Sequence, residues 1–270
     1  MLVRERASSP TFGRAMSEQP GMDELTAPLT MPANEAITLL HKGDLSIEGR
    51  ITTASNATLY CRVELDGVAA ACVYKPVSGE RPLWDYPDGT LAEREYATYL
   101  VGAATGWDPV PPTVLRDGPM GLGMVQLWIE EDESFDIVGA INAGDVAELR
   151  RLALLDAVVN NSDRKVSHLL PVARPSGLHI YGVDHGVSFG AEDKLRTVLW
   201  QWAGVRISDA ELAVLDLLAG RLDGDLGENL AELLTTAEVR AARFRVRRLI
   251  RSSLFPLPPT DWPAIPYPPY

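Results

Sequence analysis

The sequence predicts an α+β protein in two lobes, a small antiparallel sheet carrying one helix and then a mainly helical half. Three observations lead there. Asp66-Gly67 separates two short apolar runs, a strong signal for a two-residue hairpin turn. A second hairpin is spelled further on, where Arg174-Pro175-Ser176-Gly177 divides the apolar runs 169–173 and 178–183. From Gly144 onward the other apolar positions take helical spacing.

Taken in order, residues 1–34 mix Ser, Pro, Met and scattered charges without periodicity and read as a disordered leader. A short helix over 35–41 and strands over 44–53 and 59–65 follow, the strands joined by a link of small polar residues. The Asp66-Gly67 turn then returns the chain as a strand over 68–74. Thr90 and Glu93 have the spacing of a capping box and predict a helix over 91–104. Strands over 110–115 and 123–128 end the first lobe, and the acidic run 130–133 connects it to the second. There, a helix over 145–159 precedes the second hairpin. Ser208 caps a helix over 209–222, and a short helix near 226–234 follows. Thr235 and Glu238 repeat the capping-box spacing at the last helix, whose Val239, Ala242, Val246, Leu249 and Ile250 share one side. Its six arginines, Arg240, Arg243, Arg245, Arg247, Arg248 and Arg251, read as a solvated face. The Pro-, Trp- and Tyr-rich tail should be extended, docked on the body or offered to a protein partner. The division is therefore leader 1–34, N-lobe 35–127, C-lobe 128–255 and tail 256–270.

Composition narrows the function. With 270 residues, 46% hydrophobic and 23% charged, the chain suits one compact body. A net charge of −12 argues against nucleic acid and against constant residence on an anionic membrane. No apolar run approaches the ~20 residues that span a bilayer, so no stable membrane insertion is expected. The first residues lack the apolar core of a secretory signal, which makes the cytoplasm the expected compartment. Cys61 and Cys72 fall opposite each other around the Asp66-Gly67 turn and, in a reducing compartment, read as two small buried hydrophobes.

The chemistry concentrates between Leu152 and Gly186. An apolar helix runs into the polar turn Ser162-Asp163-Arg164-Lys165-Val166-Ser167-His168, the hairpin follows, and Asp184-His185-Gly186 closes the stretch. Helix, polar loop, hairpin and an acidic residue before His-Gly is the plan of a kinase catalytic core. One aspartate there orients the nucleophile and the other holds the metal on the nucleotide phosphates. The two aspartates are 184 − 163 = 21 residues apart, room for one tight hairpin that brings both to one edge. Upstream, Lys75 ends a predicted strand and Glu95 lies one turn before Tyr99 on the following helix, the pair such a core uses to hold phosphates.

Asp163-Arg164-Lys165-Val166-Ser167-His168 resembles the Asp-Arg-His-x-x-Asn catalytic loop of phosphatidylinositol 3-/4-kinase-like enzymes, and Val183-Asp184-His185-Gly186 resembles their Asp-Phe-Gly element. From about residue 35 to 254 the chain is similar to a bacterial family of that superfamily. Lys165 stands where the superfamily has His, and His168 where it has the metal-binding Asn. The resemblance implies a two-lobed protein-kinase-like fold of phosphatidylinositol-kinase type and ATP with Mg or Mn as cofactors. Lys75 and Glu95 would hold ATP, Asp163 would orient the acceptor hydroxyl, and Asp184 with His168 would bind the metal. Ser55 and Asn56 would cover the phosphates, and Gln126, Leu127 and Trp128 would line the adenine site.

Between Gly186 and Trp200 the only cations are Lys194 and Arg196, offset by Glu192 and Asp193. That favours a protein or small-molecule hydroxyl, or the protein itself, over an inositol lipid as acceptor. A nucleotide-binding pseudokinase that serves as a scaffold is the alternative, suggested by the replaced Asn and the altered Asp-Phe-Gly element.

Overall fold

Period-two alternation builds the first half into an antiparallel sheet. In the computed structural model, which describes residues 31–51 and 56–270, α1 (Ala33–Lys42) leads into β1 (Asp44–Arg50), β2 (Leu59–Leu65) and β3 (Val68–Pro76). After α2 (Leu91–Thr105), β4 (Thr113–Gly118) and β5 (Gly121–Leu127) complete a five-stranded sheet of order β1-β2-β3-β5-β4. Helix α1 takes in two residues assigned to the leader, and residues 1–30 lie outside the described set. The strand expected over 44–53 ends at Arg50 after a bulge between Ile47 and Gly49. The strand expected over 110–115 begins only at Thr113. Pro111 and Pro112 have no N–H to give a ladder, which moves β4 and its hairpin toward Gly118.

Asp66 at φ 50° and Gly67 at φ 80° both occupy the left-handed region, as the two-residue hairpin turn of this hand requires. The turn sets Cys61 opposite Cys72, both buried free thiols. Burial pushes the Cys61 pKa up to about 12 and that of Cys72 well above its ordinary value, so neither is a thiolate near neutral pH. The pleat also sorts β3 by face. Ala70, Cys72 and Tyr74 pack with Leu39 and Leu40 of α1, whereas Ala71 and Val73 pack on the other side with Ile51 and Tyr60. Lys75 belongs by alternation to this second side.

The capping box expected at α2 does not form. The Thr90 hydroxyl donates to Pro87 O at 2.8 Å and accepts from Arg94 Nε at 3.2 Å, so it caps no helix N–H. Glu80, from the preceding loop, takes its place, its two oxygens accepting from Leu91 N at 3.0 Å and Ala92 N at 2.8 Å. A carboxylate here satisfies two orphan donors and meets the positive end of the helix dipole. Glu80→Ala should therefore lower unfolding stability by about 1 kcal/mol in a urea titration, the usual cost of a lost cap. Thr90→Ala should cost less, and the reverse order would contradict the assignment.

The second half contains α3 (Ile137–Ala143), α4 (Ala147–Val159), the hairpin β6 (Leu169–Arg174) and β7 (Gly177–Gly182), then α5 (Asp209–Asp223), α6 (Asp225–Leu233) and α7 (Thr236–Ser252). Reciprocal capping boxes open α5 at Ser208 with Glu211 and α7 at Thr235 with Glu238. One apolar core joins α4, α5, α6 and α7 and takes in Ala97 and Val101 of α2. Helix α2 also packs on β4 and β5, so it bridges the sheet and the helices. A smaller cluster of Ile129, Leu170, Val172, Tyr181 and Val183 sets the hairpin against the residues that follow β5.

The arginines of α7 are not a uniform solvated face. Arg245 is 1% exposed and donates to Val158 O and Gly190 O. Arg243 reaches Leu222 O, Arg247 pairs with Asp223, and Arg248 pairs with Asp193. Four of the six thus tie α7 to its surroundings. Among the described residues no helix is long and apolar enough to cross a membrane.

Candidate active site

Strand β3 and helix α2 bring the first charges together. Lys75 Nζ lies 2.5 Å from Glu95 Oε1 and 2.8 Å from Asp184 Oδ1. Glu95 uses its second oxygen as well, accepting the His185 N–H at 2.9 Å. A carboxylate on α2 therefore locks the strand lysine and the residue after Asp184 in one arrangement. Burial alone would lower the Lys75 pKa, but the Asp184 and Glu95 charges outweigh it and hold the ammonium above its ordinary value. Burial would raise Asp184, yet Lys75 and His168 keep it well below the carboxylate range. Glu95, the most enclosed of the three, is raised by burial against the opposing pull of Lys75.

Asp184 has φ 60°, a left-handed conformation that a non-glycine residue adopts at a cost of order 1–3 kcal/mol. The loop below it supplies the restraint. Arg164, 0% exposed, pairs with Asp156 through Nη2 at 2.9 Å and donates to Val183 O at 2.9 Å and His168 O at 3.3 Å. Its Nη2 also meets His185 Nε2 at 2.6 Å. Arginine can only donate, so His185 accepts through Nε2 and carries its proton on Nδ1. Burial and the Arg164 charge hold the His185 pKa well below its ordinary value, so the ring is a neutral packing partner. The buried Asp156–Arg164 pair is thus the hub that holds both ends of the hairpin.

From this hub the catalytic-loop candidate is presented. Asn161 Nδ2 donates to Asp156 Oδ1 at 3.0 Å, and Asn161 Oδ1 accepts the Asp163 N–H at 3.0 Å. Asp163 Oδ2 lies 2.9 Å from Lys165 Nζ. Burial raises the Asp163 pKa, while Lys165 works against the rise. Asn160, in the left-handed region at the end of α4, donates to Gly190 O and Glu192 O and accepts the Lys194 N–H, which pins the segment after Gly186.

His168 Nε2 lies 3.3 Å from Asp184 Oδ2. Burial pushes the His168 pKa down to about 4, so the ring is neutral at physiological pH. Its Nδ1 accepts the Lys165 N–H at 3.5 Å, which puts the proton on Nε2 facing Asp184. No group of three or more His, Cys, Asp or Glu side chains that could hold a metal occurs among the described residues. The donors present fit one ion that completes its shell with phosphate and water oxygens. Asp184, its side chain 44% exposed, offers an anionic oxygen, and His168 offers a nitrogen in its other tautomer.

Two cavities meet at Lys75 and Asp184. The apolar one is walled by Val73, Gln126, Leu127, Trp128, Leu170 and Val183. The Leu127 and Trp128 N–H groups are engaged by Pro112 O and Ala71 O, and the Gln126 amide donates to Thr113. The polar one, about 640 Å³, is lined by Asn56, Glu95, Asp163, Lys165 and His168 among others. Asn56 Oδ1 accepts the Arg81 N–H and ties its loop to the segment after β3. Ser55 lies outside the described residues. Every other site residue proposed from the sequence borders one cavity or the other.

Sequence reading missed two features and left a third open between two outcomes. Lys165 stood out only as a departure from a pattern, yet it pairs with Asp163. Asp156 was legible as the single charge within the apolar run 152–159, and a charge buried there needs a partner. The tail gave no such signal. It docks, with Ala264 O accepting from Thr197 N and Trp200 Nε1 and Pro269 O accepting from Val166 N. Trp262 and Trp84 place their rings 5.2 and 4.6 Å from the Lys194 ammonium, joining the tail, the segment after Gly186 and the loop before α2.

Comparison with solved structures places the fold among kinase-like folds. A crystal structure of the Golgi casein kinase with Mn/ADP bound aligns with TM-score 0.55 at 13% identity, covering 82% of this chain and 75% of that one. The structure of hydra Fam20 with sugar aligns with TM-score 0.56 at 14% identity, covering 82% and 88%. At such identities the likeness concerns the fold. It supports a kinase-like fold without singling out the phosphatidylinositol-kinase type. No family model matches the sequence. Protein Rv2133c of Mycobacterium tuberculosis is 42% identical over 267 residues, which span 84% of this chain and 94% of that protein, and the chain belongs to the same family as Rv2133c.

Proposed function

We propose that the protein is an ATP-dependent phosphotransferase acting on a hydroxyl, with the sheet-bearing residues 35–127 and the helical residues 128–255 as two kinase lobes around the cleft. The observation that carries the reading is the ion cluster of Lys75, Glu95 and Asp184, set where an apolar and a polar cavity join, with Asp163 bordering the polar one. A nucleotide fits that junction, its base in the apolar cavity and its phosphates against Lys75. Asn56 lies where it would flank the phosphates. Gln126, Leu127 and Trp128 supply wall rather than N–H donors, so the polar edge of the base would meet the chain beyond Trp128. Asp184 with His168 would hold Mg or Mn, and that ion would offset the phosphate charge. Lys165, held beside Asp163, adds a second ammonium to the phosphate side of the cavity.

The phosphatidylinositol 3-/4-kinase-like assignment rests on the order of these motifs in the sequence. A lipid acceptor fits poorly. Lys194 is enclosed by two tryptophan rings and paired with Asp85 and Glu192, and Arg196 is half-buried, so the segment after Gly186 presents little basic surface to a membrane. A protein, small-molecule or internal hydroxyl suits the cavity better.

Lys75→Met tests the nucleotide site. It removes a charged hydrogen-bond donor worth about 1.5–3 kcal/mol, so ATP affinity measured by calorimetry should fall about 10- to 100-fold. Glu95, buried, keeps only the His185 N–H once Lys75 is gone, so the melting temperature without nucleotide should fall as well, and affinity is compared at a temperature where the variant is still folded. Unchanged ATP affinity would remove Lys75 from the site.

A further inference from the structure

Among the described residues, three that carry a side-chain hydroxyl line the polar cavity, Thr58, Ser167 and Tyr270. Thr58 is 1% exposed, and Ser167 belongs to the 3₁₀ turn Val166–His168 of the catalytic loop itself. The first is enclosed, and the second is fixed in the short turn that also carries His168. Tyr270 differs in kind. It is carried by the tail, it is 47% exposed, and its neighbour Pro269 is bonded to Val166, three residues after Asp163. The tail is fixed upstream as well, at Ala264 and at the Trp262–Lys194–Trp84 sandwich. These anchors place Tyr270 among the residues that line the cavity together with Asp163, Lys165 and Asp184. A tethered acceptor of this kind reacts at high effective concentration.

We propose that Tyr270 is an acceptor of the phosphoryl group and that the protein modifies it within the same chain. The proposal rests on the phosphotransferase reading above. In the step, Tyr270 Oη attacks the γ-phosphorus of ATP, the bond from that phosphorus to the β–γ bridging oxygen breaks, and ADP leaves. The phenolic proton passes to the Asp163 carboxylate. The phosphotyrosine so formed lies in a cavity also lined by Lys165 and Arg81, cations suited to hold it. The tail contains its own control, because Tyr267 is 91% exposed and borders neither cavity.

The test incubates the full chain with γ-labelled ATP and Mn²⁺ or Mg²⁺ and maps the label by peptide mass spectrometry, with ATP binding measured on the same preparation. Phosphate is expected on Tyr270 and not on Tyr267, at a rate per molecule that dilution does not change. Tyr270→Phe should abolish labelling of the tail. A tagged Asp163→Asn chain mixed with wild type should stay unlabelled. If the protein binds ATP and hydrolyses it, or labels another hydroxyl, while Tyr270 stays unmodified, the proposal is overturned and the phosphotransferase reading survives. Label on the tagged Asp163→Asn chain overturns modification within one chain. Failure of wild type to bind ATP overturns both readings.

Discussion

Replacing Asp163 by Asn is expected to slow phosphoryl transfer by about 10²- to 10⁴-fold, the range that a positioned acid or base supplies. Nucleotide affinity should stay close to that of wild type. The reasoning begins with the backbone. Asn161, tethered to Asp156, accepts the Asp163 N–H, and Lys165 holds one carboxylate oxygen, so the side chain is presented to the cavity rather than left to rotate. Asn keeps the shape and can still meet its neighbours, but it cannot take a proton. Asp184→Asn should behave differently, because it removes the charge that faces Lys75 and would face the metal, and metal-dependent ATP binding should fall with it. Equal loss of binding in the two variants would contradict the division of roles.

Arg164→Met is expected to cost about 3–5 kcal/mol of unfolding stability, because it leaves a buried carboxylate without its partner. Asp156 is 0% exposed and receives Arg164, Asn161 and Thr197. Loss of Arg164 also frees Val183 O, His168 O and His185, which together bracket Asp184. The double variant Asp156→Leu with Arg164→Met should recover part of the loss, since an apolar pair of similar volume leaves no uncompensated charge. Urea denaturation of the three variants measures this. A loss near that of a surface arginine would show that the hub is not what restrains Asp184.

Much of the scaffold was legible because local rules and tertiary packing agree. The Asp66-Gly67 turn, the β6–β7 hairpin and the Ser208 and Thr235 caps obey short-range chemistry that nothing distant overrides. Lys75, Glu95, Asp163 and Asp184 were singled out by their order along the chain, and topology brings the first two and the last into contact, with Asp163 on the same cavity. What escaped is long-range. Glu80 displaces Thr90 as the cap of α2 from ten residues upstream, a substitution that no spacing rule contains. Arg164 and Asp156 read as a loop cation and a helix charge, and their pairing depends on the fold around them. The tail is the extreme case, because its proline-rich composition is equally compatible with docking and with release. Only the bonds from Val166, Thr197 and Trp200 decide between them.

The central claim is that the Lys75–Glu95–Asp184 cluster forms the phosphate end of a nucleotide site that serves transfer. The most direct test titrates wild-type protein with γ-labelled ATP and Mn²⁺, following bound nucleotide and transferred phosphate in the same samples. Saturable, metal-dependent binding accompanied by label on a hydroxyl is the predicted result. Saturable binding with no label leaving ATP would contradict it and favour a nucleotide-binding scaffold, and no binding at all would remove the nucleotide from the account.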